Sequence, residues 1–256
     1  MYCTGELFVN CKILTGAFND SDFTKVTIGN SVASIGSEAF YNCDKLESID
    51  IAASVKSIGS WAFYNCGKLE SVTIPADVTS IGLYAFNGCS SLVHGPNGWG
   101  EMFEPLVNVT DTAYMFNGCS KLTIDIPNGI LANCAKLTTI NGMFRGCSGL
   151  VNLPTSLFRK QIADTNELNA LTNAFNVFAG CSKLTGIVSK TFFYGVKNLR
   201  NIGGYAGERI HNSTSYFPTE GFFYNTKITG YHETMFEEIP LLSNCSHFFN
   251  HSGATK

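Results

Sequence analysis

A short repeating unit constrains the fold of this chain more than any other feature of its sequence. Three segments, 34–51, 57–74 and 80–97, align at a period of 23 residues. The consensus, counted from Val32, is V-x-x-I-G-x-x-A-F-x-[NG]-C-x-x-L-x-x-[IV]-x-I. One unit of this size cannot bury its own apolar face, so successive units have to stack into a continuous core. The sequence therefore predicts a solenoid.

Each part of the consensus has a local structural reason. Leu46, Ile49 and Ile51 alternate with Ser48 and Asp50, which predicts a short strand with one buried face. Between strands, a serine that precedes the Ala-Phe pair can cap a single helical turn whose alanine and phenylalanine point inward. We therefore expect each coil to combine a short strand with a short helical turn.

The Asn or Gly immediately before the cysteine marks the end of that turn, because these residues adopt a left-handed conformation most easily. The marker recurs at Asn10, Asn42, Asn65, Gly88, Gly118, Asn133, Gly146, Gly180, Gly195, Asn225 and Asn244. The matching inward residues are Phe8, Phe40, Phe63, Phe86, Phe116, Leu131, Phe144, Phe178, Phe193, Phe223 and Leu242. A further, degenerate unit has Phe236 and Ile239, with Glu238 at the turn.

The spacing of the units changes after residue 93. Gly118, Asn133 and Gly146 lie only 13 to 15 residues apart, too few for a complete coil of about 20 residues or more. We infer that two short units share one coil, so that Phe116 to Phe144 is one turn. Insertions at 94–112, 159–173 and 203–221 are expected to leave one side of the stack as loops. The prediction is one domain over 1–256, regular over 1–93 and irregular with wider coils over 94–256.

The motif at 32–51 and 55–75 resembles the BspA-like leucine-rich repeat, and the resemblance is specific over 26–93. Units 115–122, 143–150 and 177–184 are similar to divergent units of that family. The resemblance implies an α/β solenoid, a leucine-rich-repeat right-handed superhelix with short parallel strands on one face and short helical turns on the other. It also implies a secreted or cell-surface bacterial protein, and adhesion has been attributed to some members.

The cysteines are expected to be buried thiols and not disulfides. Nine of the ten occupy the same repeat position: Cys11, Cys43, Cys66, Cys89, Cys119, Cys134, Cys147, Cys181 and Cys245. Side chains in register on stacked coils run parallel, which is the wrong mutual direction for a bridge. Val196 and Thr226 replace the cysteine in two units, which fits a small buried residue.

The sequence offers no recognisable chemistry of catalysis or of metal and cofactor binding. It contains no C-x-x-C, G-x-S-x-G, P-loop or H-E-x-x-H motif. His232 beside Glu233 is better explained as a surface pair, and the tail residues Cys245, His247 and His251 as parts of the repeat and the surface. We predict a protein that is not an enzyme, with no catalytic, metal-ligating or cofactor-binding residues.

Charge and hydropathy limit the classes of partner. The net charge of −3 gives no basic footprint for nucleic acid, and no apolar run is long enough for a membrane span. The N-terminal residues lack the pattern of a signal peptide, which suggests a segment of a longer protein. The expected location is extracellular or at the cell surface, without a signal or anchor in this chain.

Two aromatic stripes are the candidate binding surface. Trp61, Tyr84 and Tyr114 stand two residues before the inward phenylalanine, whereas Tyr41 and Tyr64 follow it, as do Tyr194 and Tyr224. Packing against neighbouring coils is one explanation; an exposed row that binds protein or sugar is the other. A lysine stripe, at Lys45, Lys68, Lys121, Lys136 and Lys183, is either solubilising or a ladder for an acidic partner.

The leading hypothesis is a non-enzymatic binding module that recognises a protein or glycan ligand on host or neighbouring cells. One alternative is a structural spacer that holds another domain away from a surface. A second is a carbohydrate-binding module that uses Trp61, Tyr84 and Tyr114.

Overall fold

The structure, a computed structural model, describes residues 5–93, 108–122, 126–158, 170–203, 221–237, 239–243, 245, 248–249 and 252. Its strands are β1 (Gly5–Val9), β2 (Phe23–Ile28), β3 (Ser34–Ile35), β4 (Ser48–Ile51), β5 (Ser57–Ile58), β6 (Ser71–Val72), β7 (Ser80–Ile81), β8 (Thr185–Val188) and β9 (Lys227–Tyr231). All the pairings are parallel. One sheet has the order β1-β2-β4-β6, a second β3-β5-β7 and a third β8-β9. The fold is a solenoid of parallel strands.

The predicted alternation along the strands is confirmed. Ile49 and Leu46 are buried, whereas Asp50 is exposed. In the parallel pairing of β4 with β6, Ile49 lies beside Val72, so both buried side chains stack on the same inward face. The second sheet arises in the same way, because Ile35, Ile58 and Ile81 fall in register.

The predicted helical turns are runs of consecutive reverse turns, and no helix occurs among the described residues. In the coil around Phe40, the N–H groups of Ala39, Tyr41 and Cys43 donate to carbonyls three residues back. The intervening N–H groups, including that of Phe40, donate to the next coil. Left-handed residues at Glu38 (φ 55°) and Asn42 (φ 56°) rotate alternate N–H groups out of the turn, so the bonds to carbonyls four residues back that define an α-helix do not form.

These cross-coil hydrogen bonds tie each run of turns to the next coil. Phe40 donates to the carbonyl of Ala62 at 2.8 Å, and Phe63 donates to that of Ala85 at 2.8 Å. The left-handed conformation predicted at the turn marker is confirmed, with φ between 51° and 92°, at Asn42, Asn65, Gly88, Gly118, Gly146, Gly180, Gly195 and Asn225. The prediction was wrong at Asn10 and Asn133, which are not left-handed.

A column of stacked phenylalanine rings runs through the core. Neighbouring ring centroids lie 5.2 to 6.2 Å apart and the rings are within 18° of parallel. The members are Phe18, Phe40, Phe63, Phe86, Phe116, Phe144, Phe178, Phe223 and Phe249. This phenylalanine column extends from the regular coils into the irregular part of the chain.

The prediction that two short units share one wide coil is confirmed. Phe116 stacks on Phe144 with centroids 6.2 Å apart, so the 28 residues between them make one turn. The intervening units form a second column, in which Leu131 donates its N–H to the carbonyl of Leu157 at 3.0 Å. In that second column the ring centroid of Phe193 lies 6.5 Å from that of Phe158 and 6.1 Å from that of Phe236.

The assignment of the first unit from sequence was wrong. Phe8 lies on the outward face of β1 and is 66% exposed, because β1 pairs with β2 so that Val9, and not Phe8, meets Ile28. The true first unit has Phe18 in the column, with the left-handed Asp20 at its turn (φ 53°). Asn10 and Cys11, both exposed, lie outside the repeat register.

The last unit also differs from the prediction. Leu242 occupies the position of the strand leucine, because its N–H donates to the carbonyl of Ile239 as that of Leu46 does to Cys43. The ring that completes the phenylalanine column is Phe249, and Cys245 is exposed. Asn244 and the segments 94–107, 159–169 and 204–220 of the predicted insertions lie outside the described residues. The insertions are shorter than predicted at two ends, because Asp111 and Asn173 each form a parallel bridge with Thr139 in the stack.

Candidate binding face

Trp61, Tyr84 and Tyr114, hereafter the aromatic row, occupy left-handed backbone positions. Their φ angles are 54°, 59° and 55°. The same position is filled by Gly16 and Gly142 in other coils, where the left-handed conformation carries no steric penalty. A bulky side chain at positive φ is costly and is held only where the surrounding structure overdetermines it. The row therefore places three large rings where the fold itself favours glycine.

The rings of the aromatic row stack on one another and are half-buried. Centroids of Trp61 and Tyr84 lie 6.1 Å apart and those of Tyr84 and Tyr114 lie 4.7 Å apart, with interplanar angles of 4° and 9°. Beyond Tyr114 there is room only for glycine, since a Cβ at Gly142 would collide with the Tyr114 ring. Stacking thus covers both faces of Tyr84 and one face each of Trp61 and Tyr114.

The second predicted stripe is shorter than the sequence suggested. Tyr41 and Tyr64, hereafter the tyrosine pair, stack at 4.9 Å and are half-buried. Tyr194 belongs to the second column, because it follows Phe193. Tyr224 is in the same register as the pair but lies beyond four coils that carry Asn87, Asn117, Arg145 and Ala179 at that position. The structure therefore brings together two of the four tyrosines.

Carboxylates lie at the end of the face where the regular coils begin. Glu38 occupies the position of the aromatic row one coil before Trp61, and Asp20 lies at the first turn marker. Burial raises the pKa of Tyr41, and the negative charges of Tyr64, Glu38 and Asp20 raise it further. These two acids were missed from sequence; their register, two residues before and two after the column phenylalanine, was the available signal.

The cysteine column explains why the repeat uses a thiol. Each Sγ donates to the backbone carbonyl of the phenylalanine one coil earlier, at 3.0 to 3.3 Å, in Cys43, Cys66, Cys89, Cys119, Cys147 and Cys181. The carbonyls of Phe40, Phe63, Phe86, Phe116 and Phe144 also accept a backbone N–H within their own turn, so the thiol there fills a remaining lone pair. A cysteine is small and nearly apolar, and it satisfies this position at little cost.

Burial makes these thiols unreactive. It raises the pKa of Cys43 to about 11 and that of Cys89 to about 12. The nine described cysteines are all free, and seven are buried, which confirms the prediction of buried thiols except at Cys11 and Cys245. Since the thiolate is the reactive species, the column is structural and not a redox centre.

Other residues weighed from sequence have ordinary surface partners. The Nδ1 of His232 faces the hydroxyl of Thr234 at 2.9 Å, and with Tyr231 and Phe236 it borders a cavity of about 570 Å³. Lys121 and Lys136 donate to Ser91 and Asn108, and Lys45 donates to Asp44. Among the described residues no three His, Cys, Asp or Glu side chains cluster as metal ligands. His247 and His251 lie outside the described residues.

The sequence model of one family, described as "BspA type Leucine rich repeat region", matches residues 11–95 in six copies. The matched region covers about a third of the chain, and this part of the chain is similar to that family. The BspA-type region begins before residue 26, where the sequence resemblance started, and so includes the unit of Phe18. It carries Trp61, Tyr84 and the tyrosine pair, whereas Tyr114 lies beyond it.

Solved structures similar to the chain are themselves bacterial leucine-rich-repeat proteins. A leucine-rich-repeat protein of T. pallidum has 23% identity and a TM-score of 0.47, with 68% of this chain and 71% of that chain covered. One from Bacteroides ovatus has 24% identity and a TM-score of 0.34, covering 70% and 60%. The pneumococcal vaccine antigen PcpA has 18% identity and a TM-score of 0.39, covering 96% and 71%. No curated protein matches the sequence.

None of these similarities assigns a role to a residue of this chain.

Within the described part of the chain, no helix is long and apolar enough to cross a membrane.

Proposed function

We propose that this chain is a non-enzymatic protein-interaction module of a secreted or cell-surface bacterial protein, and that it mediates adhesion to host or neighbouring cells. Its ligand face is the aromatic row together with the tyrosine pair, on one binding domain that spans the chain. The BspA-type region supports the class of protein, because solenoids of this kind present extended faces to partners.

The observation that carries the proposal is the left-handed conformation of Trp61, Tyr84 and Tyr114. Glycine fits that position without penalty, so aromatic residues there in three successive coils are unfavourable for the backbone. Their mutual stacking offsets part of this cost. A row of half-buried tryptophan and tyrosine is also the composition that dominates protein interfaces.

The geometry favours a protein ligand over a glycan. Both faces of the central ring, Tyr84, are covered, by Trp61 at 6.1 Å and by Tyr114 at 4.7 Å between centroids. Hydrophobic and hydrogen-bonding contacts with a protein can use ring edges, whereas stacking on a flat ligand such as a sugar ring needs an open face. The carbohydrate-binding alternative is therefore the second candidate.

The test compares binding of the chain and of a triple variant, Trp61→Ala, Tyr84→Ala and Tyr114→Ala, to immobilised extracellular-matrix proteins and to a glycan array. We expect saturable binding to at least one matrix protein that the triple variant loses, and no glycan binding. Phe8→Ala is the matched control, because Phe8 is an exposed ring on a strand and not on the turns. Thermal unfolding of each variant checks that the fold is retained.

Two outcomes contradict the proposal. Absence of saturable binding to every matrix protein would favour the spacer. Binding that the triple variant and Phe8→Ala retain equally would move the ligand face elsewhere on the solenoid.

A further inference from the structure

The end of the binding face at Tyr41 differs from its other end. Tyr64 covers one face of the Tyr41 ring. At the matching position one coil earlier stands Asn19, whose side chain is shorter than a tyrosine, and within the described residues no ring packs on that far face of Tyr41. The outer part of this ring is therefore available to a ligand, unlike the rings inside the aromatic row.

Two acidic residues neighbour Tyr41. Asp20 belongs to the coil before Tyr41 and donates its backbone N–H to the Tyr41 carbonyl at 2.8 Å, which places the two residues side by side. Glu38 precedes Tyr41 in the same turn, and its carbonyl accepts the Tyr41 N–H at 3.0 Å. Both negative charges act on the Tyr41 hydroxyl, since both raise its pKa.

Neither carboxylate is neutralised by a neighbour. Within the described part of the chain, lysines pair with Asp44, Asp50 and Asp77, and neither Asp20 nor Glu38 takes part in an ion pair. Asp20 is exposed and Glu38 is half-buried, which leaves both accessible to a partner. The local charge at this end of the face is negative.

An aromatic face with two neighbouring acidic residues suits a cationic group. A guanidinium or ammonium over a tyrosine ring is attracted by the ring quadrupole, and carboxylates beside it add charge-assisted hydrogen bonds. We propose that the protein ligand of this face presents an arginine or lysine side chain that lies on Tyr41 between Asp20 and Glu38. The partner is thus a basic protein segment oriented with its cation toward the first coils. This inference rests on the proposed function and adds the charge and direction of the ligand.

The probe is a fluorescent arginine-rich peptide, and its affinity for the whole chain is measured by fluorescence anisotropy at low and at physiological salt. The double variant Asp20→Asn, Glu38→Gln should weaken binding about three- to tenfold, as expected for the loss of two partly exposed charge pairs. Asparagine suits the left-handed backbone at Asp20, so the variant should fold.

The matched control is Glu47→Gln, Glu70→Gln, which removes two negative charges from exposed positions that take part in no ion pair among the described residues and do not act on Tyr41. It should change the affinity less than twofold. Equal weakening by both double variants would show attraction to net charge alone and overturn the inference. A third variant, Tyr41→Leu, should weaken binding of the arginine peptide without altering the charge; an unchanged affinity would also count against the site.

The two proposals can fail separately. If the triple variant of the aromatic row loses matrix-protein binding while Asp20→Asn, Glu38→Gln retains it and the arginine peptide does not bind, the binding face stands and its cationic ligand does not. If the arginine peptide binds as predicted while no matrix protein does, the cation site stands and adhesion to matrix proteins does not.

Discussion

At some left-handed positions of this solenoid, an aromatic residue is unfavourable for the backbone but places a large ring at the surface. At the turn marker Asn42, Asn65 and Gly88 match the φ that the turn needs. Four residues earlier in the same turns, Trp61 and Tyr84 do not, since bulky residues avoid positive φ. Residues that stack but contribute little to the core should tolerate substitution better than residues inside it.

Phe63 and Tyr64 provide the comparison. Phe63 is fully buried between Phe40 and Phe86, with centroids 5.3 and 5.2 Å away. Phe63→Ala should lower the free energy of unfolding by about 3 to 5 kcal/mol, because it removes a core ring and leaves a cavity. Tyr64→Ala should cost less than about 1 kcal/mol, since that side chain is only half-buried. Urea unfolding measures both, and equal losses would contradict the inward and outward assignment.

The thiols give a second prediction at this scale. A thiol-specific disulfide reagent at neutral pH should modify Cys11 and Cys245 in the folded protein, because they are exposed. The seven buried cysteines should react only after unfolding, since burial keeps them protonated and inaccessible. Peptide mapping by mass spectrometry identifies the modified sites. Rapid modification of Cys66 or Cys89 in the native state would contradict the buried column.

At the scale of the structural element, the coil depends on close approach of neighbouring backbones. A Cβ at Gly59 would collide with the backbone of Ser37 in the preceding coil, and one at Gly82 would collide with that of Ser60. This explains why glycine follows isoleucine in the three regular units, at Gly36, Gly59 and Gly82. The approach is a property of stacked coils, so a single unit does not reveal it.

Gly59→Ala should therefore destabilise the fold by at least about 1 kcal/mol, since backbone cannot move aside as a flexible side chain can. Gly67→Ala is the control within the same coil, because its Cβ would meet only Ser90 Oγ at an ordinary 3.6 Å. Thermal unfolding of the two variants should show a clear loss at Gly59 and little change at Gly67. Similar melting temperatures for both would contradict the close packing at Gly59.

The elements also show what the sequence could and could not predict. The period fixed the strand alternation around Ile49 and the left-handed turns, because both follow from spacing and residue type. It did not distinguish reverse turns from a helical turn, since that depends on hydrogen bonds to the next coil, such as Phe40 to Ala62. Phe18 was missed because Asp20 and Ser21 replace the usual marker. Phe158 was missed because the marker is absent after it.

The candidate site was predictable to a smaller extent. Register placed Trp61, Tyr84 and Tyr114 in one row, and the structure stacks them. Whether rings present faces or edges depends on the distance between coils, which spacing along the chain does not give. The acids at Asp20 and Glu38 carry no motif, so only their position beside Tyr41 singles them out.

At the scale of the whole molecule, the buried thiols make stability depend on alkaline pH. Folding raises their pKa from an ordinary value of 9.0 to about 11 at Cys43 and about 12 at Cys134. Above pH about 9 the unfolded chain releases thiol protons that the folded chain keeps, so stability is complete below that pH and falls as pH rises toward the folded values. Each such thiol contributes a slope of up to about 1.4 kcal/mol per pH unit.

Urea unfolding between pH 7 and pH 10.5 measures this slope. Cys89→Val introduces the residue that stands at the cysteine position at Val196. It should make the fall of stability with pH shallower by the contribution of one thiol. A free energy of unfolding that stays constant up to pH 10.5 would contradict the prediction.

The cross-coil hydrogen bonds have a further consequence for chemical ageing. Asparagine followed by glycine is prone to deamidation, in which the glycine nitrogen attacks the side-chain amide and ammonia leaves. Among the described residues this dipeptide occurs at Asn87–Gly88, Asn117–Gly118, Asn128–Gly129 and Asn141–Gly142. In all four, the glycine N–H donates to a carbonyl of the next coil at 2.8 Å, which holds the attacking nitrogen away from the amide. Prolonged incubation should therefore convert these asparagines in the unfolded chain much faster than in the intact solenoid, so its stacking also preserves its covalent structure.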